Sequence, residues 1–431
     1  MAPGPSHCKL PLMRYLIISL LFLKTYACTM HSDRVIELAR RAEWKKAVGM
    51  AGKDPSLLAA VSVVVLEQAA ANDPVNARRH IRLLKNRRSE NTLERLRRNP
   101  DARISGPAAA ALYYMGEVDE ETVKGLLESE VPQARAAALD VLYSEYENFE
   151  FIQPFLADVS AFVRRVAAGA LARLEPSGEV SKALSEILQR DPDPMVRSTA
   201  ARTGQKLGPE AENLLFSTVK NDTNEGVRLA AVAGLAGLET DSASSRLKTL
   251  IGEGLTQVSL AAAWRLALRG DKDAQRVVIK ALQNGSESVR AAAAIAAGQI
   301  RGALTPDLID ALKDDSASVV LQAAAALVRT GALENEEHRK SISHALRELA
   351  SGRDSVESAQ AAEILVKTDR ESAEAVLDEL VLHEEPVIRA AVGSSAARAE
   401  LWNTAAAGLS DPDPAVRTAT ASAVVNSGYE E

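Results

Sequence analysis

The strongest constraint on this chain is a period. One apolar residue, usually followed by Arg and then by Ala three and four positions on, recurs along the sequence. It stands at Ile104, Ala134, Val163, Val196, Val227, Val258, Val289, Val319, Val356, Ile388 and Val416, at steps of 28 to 37 residues. The sharpest copies are Asp191-Pro192-Asp193-Pro194-Met195-Val196-Arg197 and Asp411-Pro412-Asp413-Pro414-Ala415-Val416-Arg417. Self-similarity at this period marks a small structural unit that cannot bury its apolar face alone and is therefore stacked on copies of itself.

Each unit has room for two helices and two short turns. In the copy around Val289, the residues Val289, Ala292, Ala293, Ala296 and Ile300 form one helical stripe. Gly302, Thr305 and Pro306 break the chain, Leu308, Ile309 and Leu312 supply the apolar side of a partner helix, and Asp314-Asp315-Ser316 leads to the next unit. Pro194 and Pro414 suit a first helical position, where the missing N–H costs nothing, and Asp193 and Asp413 suit the caps before them. Aromatics make up only 4% of the residues against 46% apolar, so the core is built of Ala, Leu and Val, which lets helices approach closely. Strand patterns are lacking. The fold class is all-α, an α-solenoid. The long step around Glu334 to Arg353 predicts either an inserted loop or a longer helix.

The recurring Asp-Pro-Asp-Pro-x-Val-Arg-x-x-Ala-Ala resembles the HEAT repeat, particularly the short bacterial form also known from phycobilisome lyase-like proteins. The resemblance covers about residues 100 to 431 and implies a right-handed superhelix of stacked helical hairpins, about 11 units over 101–431. It also implies a ladder between neighbouring repeats, made by the Arg and an Asp about six residues before it. Carried over by position, the ladder pairs Asp158 with Arg164, Asp191 with Arg197, Asp222 with Arg228 and Asp411 with Arg417, with Asn284 and Arg290 as a softened copy. Ser259, Val320 and Glu357 replace the Arg, so the ladder should be interrupted there. These residues are expected to be structural.

Ahead of the repeats, Tyr15 to Leu23 is an apolar run between Arg14 and Lys24, too short to span a bilayer and the right length for a secretory signal peptide over 1–27. Thr25 and Ala27 are small, which places a cleavage site between Ala27 and Cys28. Cys28 then resembles the lipidated cysteine of bacterial lipoproteins and would anchor the chain to a membrane, although Thr25-Tyr26-Ala27-Cys28 keeps only the small residue before the cysteine. A plain secreted protein and an unprocessed cytosolic one are the alternatives, and the start is Met1 or Met13. Residues 28–100 read as a helical cap shielding one end of the array. Within them, 78–103 carries ten Lys and Arg against three Asp and Glu. It reads either as a solvated surface or as a site for an anionic surface. Nucleic acid is not expected, because the net charge is -7 and the basic segment has no aromatics for stacking.

No motif for phosphate binding, metal hydrolysis or nucleophilic catalysis appears, and no cofactor is expected. Glu337 and His344 share a helical face but read as a solvated pair, and the single His383-Glu384 is too few ligands for the HEAT-like hydroxylases that hold iron with several His-Glu pairs. Function is therefore sought on the surface of the Val-Arg helices. The positions two and six after each anchor are apolar in the central units and polar in the flanking ones. Leu229, Leu260, Trp264, Ile295 and Leu321 are the candidate partner groove, with Trp264 as its anchor. A buried interior patch is the competing reading of the same residues. The function expected is a non-enzymatic protein-interaction scaffold at the cell envelope, periplasmic or membrane-anchored. The alternatives are a bilin-lyase-like or other small-ligand protein and a cytosolic assembly factor.

Overall fold

A computed structural model of the chain describes residues 31–86, 89–300, 304–352 and 355–427. Ala27, Cys28 and the leader lie outside the described residues, as do Arg87, Arg88 and Arg353. The described residues are helical, without strands, as an all-α solenoid requires. They form two compact units. One runs from Ala70 to Leu380, and the other joins the residues up to Ala69 to those from Val381 onward.

In the Ala70–Leu380 unit each repeat contributes one helix to a row of Val-Arg helices and one to a second row. The first row comprises Ala102–Met115, Pro132–Leu142, Ala161–Ala170, Pro194–Thr203, Glu225–Gly237, Gln257–Ala267, Glu287–Ala297, Ala317–Arg329 and Val356–Leu365, each packed on the next. Most anchors sit deep between the helices: Val163, Val196, Val227 and Val319 are fully buried, with the alanines that follow them. The expected anchors Val258 and Val356 are only half-buried, because Ser259 and Ser358, three residues after the caps Thr256 and Ser355, take the buried place there. Boundaries follow the local chemistry. At the Pro194–Thr203 helix, Pro194 takes the first turn and the Asp193 carboxylate accepts from the Met195 and Val196 N–H groups at 2.7 and 3.2 Å, a cap of the kind that contributes about 1 kcal/mol. Asn224, Thr256 and Ser316 do the same for their helices. The long step is a longer helix: a 3-10 turn at Ala332–Glu334 leads into the 16-residue Glu336–Ser351.

In the other unit the Trp44–Ala51 helix packs on Trp402–Leu409, and the Arg417 guanidinium lies over the Trp44 ring, 5.2 Å from its centre. Burial pushes the Arg417 pKa below its ordinary value, only partly offset by Asp411 and Asp413. The cap expected over 28–100 is thus divided. Its first part packs on Trp402–Leu409, with Trp44 offering Arg417 an aromatic face. Its second part, with the helices Ala77–Asn86 and Glu90–Arg97, belongs to the Ala70–Leu380 unit.

Candidate partner-binding groove

A ladder of arginines sets the register on which the surface rests, and its pairing differs from the one expected. Five of the arginines, Arg135, Arg164, Arg197, Arg290 and Arg389, reach forward to the Asp of the next repeat, not to a carboxylate six residues behind. Arg197 donates through Nε and Nη2 to the two Asp222 oxygens at 2.8 and 3.0 Å. Arg164 engages Asp191, Arg135 engages Asp158, Arg290 engages Asp314 and Arg389 engages Asp411 in the same fork. The residue six behind supplies its backbone carbonyl instead. Arg197 Nη1 donates to the Asp191 carbonyl at 2.9 Å, and Arg164, Arg228 and Arg417 likewise use the carbonyls of Asp158, Asp222 and Asp411. The expected pairs Asp158–Arg164, Asp191–Arg197, Asp222–Arg228 and Asp411–Arg417 are therefore main-chain contacts. Asn284 is not a ladder partner of Arg290: its Nδ2 turns back to the Lys280 carbonyl. The ladder is interrupted after Arg228, which holds only main-chain oxygens among the described residues: Gly254, two residues before the Thr256 cap as Asp222 is before Asn224, has no carboxylate to offer.

The ladder carboxylates feel opposing forces. For Asp158, Asp191, Asp222 and Asp411 burial pushes the pKa up, and the Arg hydrogen bond with a backbone N–H two residues on outweighs it, so each ends below the ordinary value. For Asp314 the Arg290 bond is the dominant influence and the direction is the same. The unfolded chain then takes up protons more readily than the folded one as acid is added. The stabilisation is complete above the ordinary Asp value of about 3.9 and is lost as pH falls through the folded values. The urea midpoint is expected to hold between about pH 7 and 5 and to drop below about pH 4. A midpoint that falls equally in a variant with Asp191, Asp222 and Asp314 all changed to Asn would detach this acid sensitivity from the ladder.

Above this frame, Leu229, Leu260, Trp264 and Ile295 come together as expected and line an open groove of about 280 Å³ with Val232 and Ala292. Helical spacing carries Leu229, Trp264 and Ile295 off the buried stripe, while Leu260 stays on it. Leu260 is buried and forms the floor, Trp264 and Leu229 are half-buried, and Ile295 is 38% exposed. Leu321 does not join them. It is buried in the Ala317–Arg329 helix, outside the lining of the groove. The Trp264 Nε1 is shielded and finds no acceptor among the described residues.

Sequence reasoning missed the cationic wall beside the groove. The Arg265 guanidinium stacks over the Trp264 ring, 4.3 Å from its centre, and also borders an adjoining cavity of about 500 Å³ lined by Arg202, Gln205, Leu268 and Arg269, with Glu239 as its one acidic residue. Burial, and then the charge of Arg269, depress the Arg265 pKa. Among the described residues no carboxylate lies within ion-pairing distance of Arg202, Arg265 or Arg269. The signal lay in the sequence, with Arg202 at the sixth position after Val196 and Arg265 at the seventh after Val258.

The basic segment is not simply solvated. The Ala77–Asn86 helix buries Ala77, His80, Ile81 and Leu84. It packs on Ala102–Met115, with Lys85 Nζ 3.4 Å from the centre of the Tyr114 ring. Arg78 pairs with Asp140 at 2.7 Å and lies over the Phe162 ring, whose other cationic neighbour is Arg165. The remaining histidines have plain roles. His383 supplies its carbonyl to Arg389, and exposed His344 stands 3.8 Å from Glu348, not Glu337. Among the described residues no three His, Cys, Asp or Glu converge on one point.

Two segments, 181–258 and 255–329, match the family model for HEAT repeats. No curated protein matches the chain. Among solved structures, YibA of Escherichia coli is 16% identical with a TM-score of 0.35, over 63% of this chain and 97% of that one. The complex of CpcE and CpcF of phycocyanin lyase from Nostoc is 18% identical with a TM-score of 0.34, over 53% of this chain and 93% of that one. Kap121p bound to Ste12p is 12% identical with a TM-score of 0.37, over 85% of this chain and 49% of that one.

Proposed function

We propose that this protein is a non-catalytic scaffold at a bacterial cell envelope that captures a protein partner in the groove around Trp264. The observation that carries the reading is the groove itself. HEAT repeats stack into a continuous surface, and here one stretch of it gathers an aromatic and three aliphatic side chains without closing over them. Large, half-exposed aromatic residues in such positions dominate binding energy. The envelope assignment is supported by the sequence alone, through the Tyr15 to Leu23 run and Cys28.

Replacing Trp264 with Ala is expected to weaken the partner complex about 30-fold, the equivalent of a 2 kcal/mol hot spot. Helix content by circular dichroism should be unchanged. Unaltered affinity in the folded variant would remove the groove from the reading. Location is tested separately by the intact mass and fractionation of the native protein. A membrane-bound species beginning at Cys28 and heavier by an acyl modification is expected. A soluble species retaining residues 1–27 would end the envelope assignment.

A further inference from the structure

The surface of the Val-Arg helices already carries one occupant, and the occupant belongs to the chain itself. The Ala77–Asn86 helix lies along the first three repeats. Its contacts are Tyr114, Asp140, Phe162 and, through that ring, Arg165. Asp140 stands nine positions after its cap, as Ile295 of the groove does, and Arg165 five after its cap, as Leu229 does. The chemistry of the match is plain. A basic amphipathic helix buries the stripe Ala77, His80, Ile81 and Leu84, and it satisfies an acidic residue on the strip with Arg78.

Further along the same strip the polarity is inverted. Asp140 gives way to Arg202 at the equivalent position in the Val196 repeat, followed by Arg265 and Arg269. Arg265, near the end of the Gln257–Ala267 helix, and Arg269, in the turn beyond it, border one cavity with Arg202. Arg269 donates to the Ala236 carbonyl and to Ser244 Oγ, and Glu239, the one acidic residue of the lining, makes no ion pair with any of the three among the described residues. Beside this cavity, and sharing Arg265 with it, lies the apolar groove of Leu229, Leu260, Trp264 and Ile295. Resting on the proposal that this groove binds a protein, we infer that its occupant is an acidic amphipathic helix. Its apolar stripe would lie on Trp264 and Ile295, and its Glu or Asp side chains would pair with Arg202, Arg265 and Arg269. This is a helix-in-groove contact, with the charges of the Ala77–Asn86 arrangement exchanged.

The probe is a displayed library of helix-biased random peptides, panned against the folded full chain. The enriched peptides are then made synthetically and titrated by fluorescence anisotropy. Enrichment of peptides with a net negative charge and apolar residues three and four apart is expected. Their affinity should fall at least about tenfold with R202E/R265E, and similarly when salt is raised well above physiological strength. Should the charge reversal disturb folding, R202Q/R265Q and the salt series on the unaltered chain read the same quantity. Enriched peptides that are neutral or basic, or indifferent to both arginine changes and salt, yet weakened by Trp264→Ala, overturn the acidic occupant and leave the groove standing. Peptides unaffected by Trp264→Ala, or no enrichment at all, overturn the groove and the inference together.

Discussion

Replacing Asp222 with Ala is expected to destabilise the central repeats by about 3–5 kcal/mol, the cost of leaving a buried charge without its partner. Arg197 is 14% exposed and Asp222 7%, and the two bonds between them, 2.8 and 3.0 Å, are a bidentate fork. Without the carboxylate, Arg197 keeps only the carbonyls of Asp191 and Pro192, and the Asn224 N–H loses its acceptor at the cap of the next helix. The double change Arg197→Met with Asp222→Leu should recover most of the loss, because removing both charges also removes their desolvation. Arg228→Ala provides the contrast. Arg228 holds two backbone carbonyls and no carboxylate, so its loss should cost about 1–2 kcal/mol. Stacked repeats open locally, so hydrogen exchange resolved along the chain is the suitable measurement. The expected result is faster exchange in Pro194–Thr203 and Glu225–Gly237 than in distant repeats. Equal losses for Asp222→Ala and Arg228→Ala would show that the forward pair does not set the register.

The ladder illustrates how far the sequence can be read. Its members were visible as residue types at a fixed spacing, and so were the caps at Asp193 and Asp413, because these are local along the chain. The direction of pairing was not. An Asp five residues before the anchor is compatible both with the Arg of its own repeat, six residues on, and with the Arg of the repeat before. Only the stacking distance between helices selects the second. For the same reason Arg135 and Asp314 were passed over: each has its partner in a neighbouring repeat, and neither repeat holds both members. The groove was read more fully, since Leu229, Leu260, Trp264 and Ile295 follow from helical position alone. Leu321 stands five residues after its cap, as Leu229 does, yet it is buried where Leu229 is not, and that difference is a property of packing. The basic helix was legible as a charge run, but its aromatic partners Tyr114 and Phe162 lie 29 and 84 residues beyond Lys85 and Arg78. A segment-by-segment reading therefore finds the cations without the rings.

Gly234 is where stacking and binding are expected to fail together. It lies in the Glu225–Gly237 helix, and a Cβ built on it would press into the main-chain carbonyl oxygen of Ala201 on the neighbouring helix, with Leu215 Cδ2 3.2 Å away. A carbonyl inside a helix cannot swing aside as a side chain can. Gly234→Val should therefore push the two helices apart and cost at least the 1–3 kcal/mol typical of overpacking. Gly234 also lines the cavity between Arg202 and Arg269, so the displacement spreads the cationic wall and should weaken binding of an acidic peptide even in the fraction that stays folded. Gly169 supplies the control. It lies in the Ala161–Ala170 helix, where a Cβ would meet only Thr199 Cγ2 at 3.6 Å, ordinary contact. Gly169→Ala should be neutral or stabilise by up to about 1 kcal/mol, because Gly costs roughly that much inside a helix. Urea midpoints for the two variants, measured beside peptide affinity, decide the matter. If Gly234→Val matches the parent in both, the close approach of these helices is not what shapes the groove.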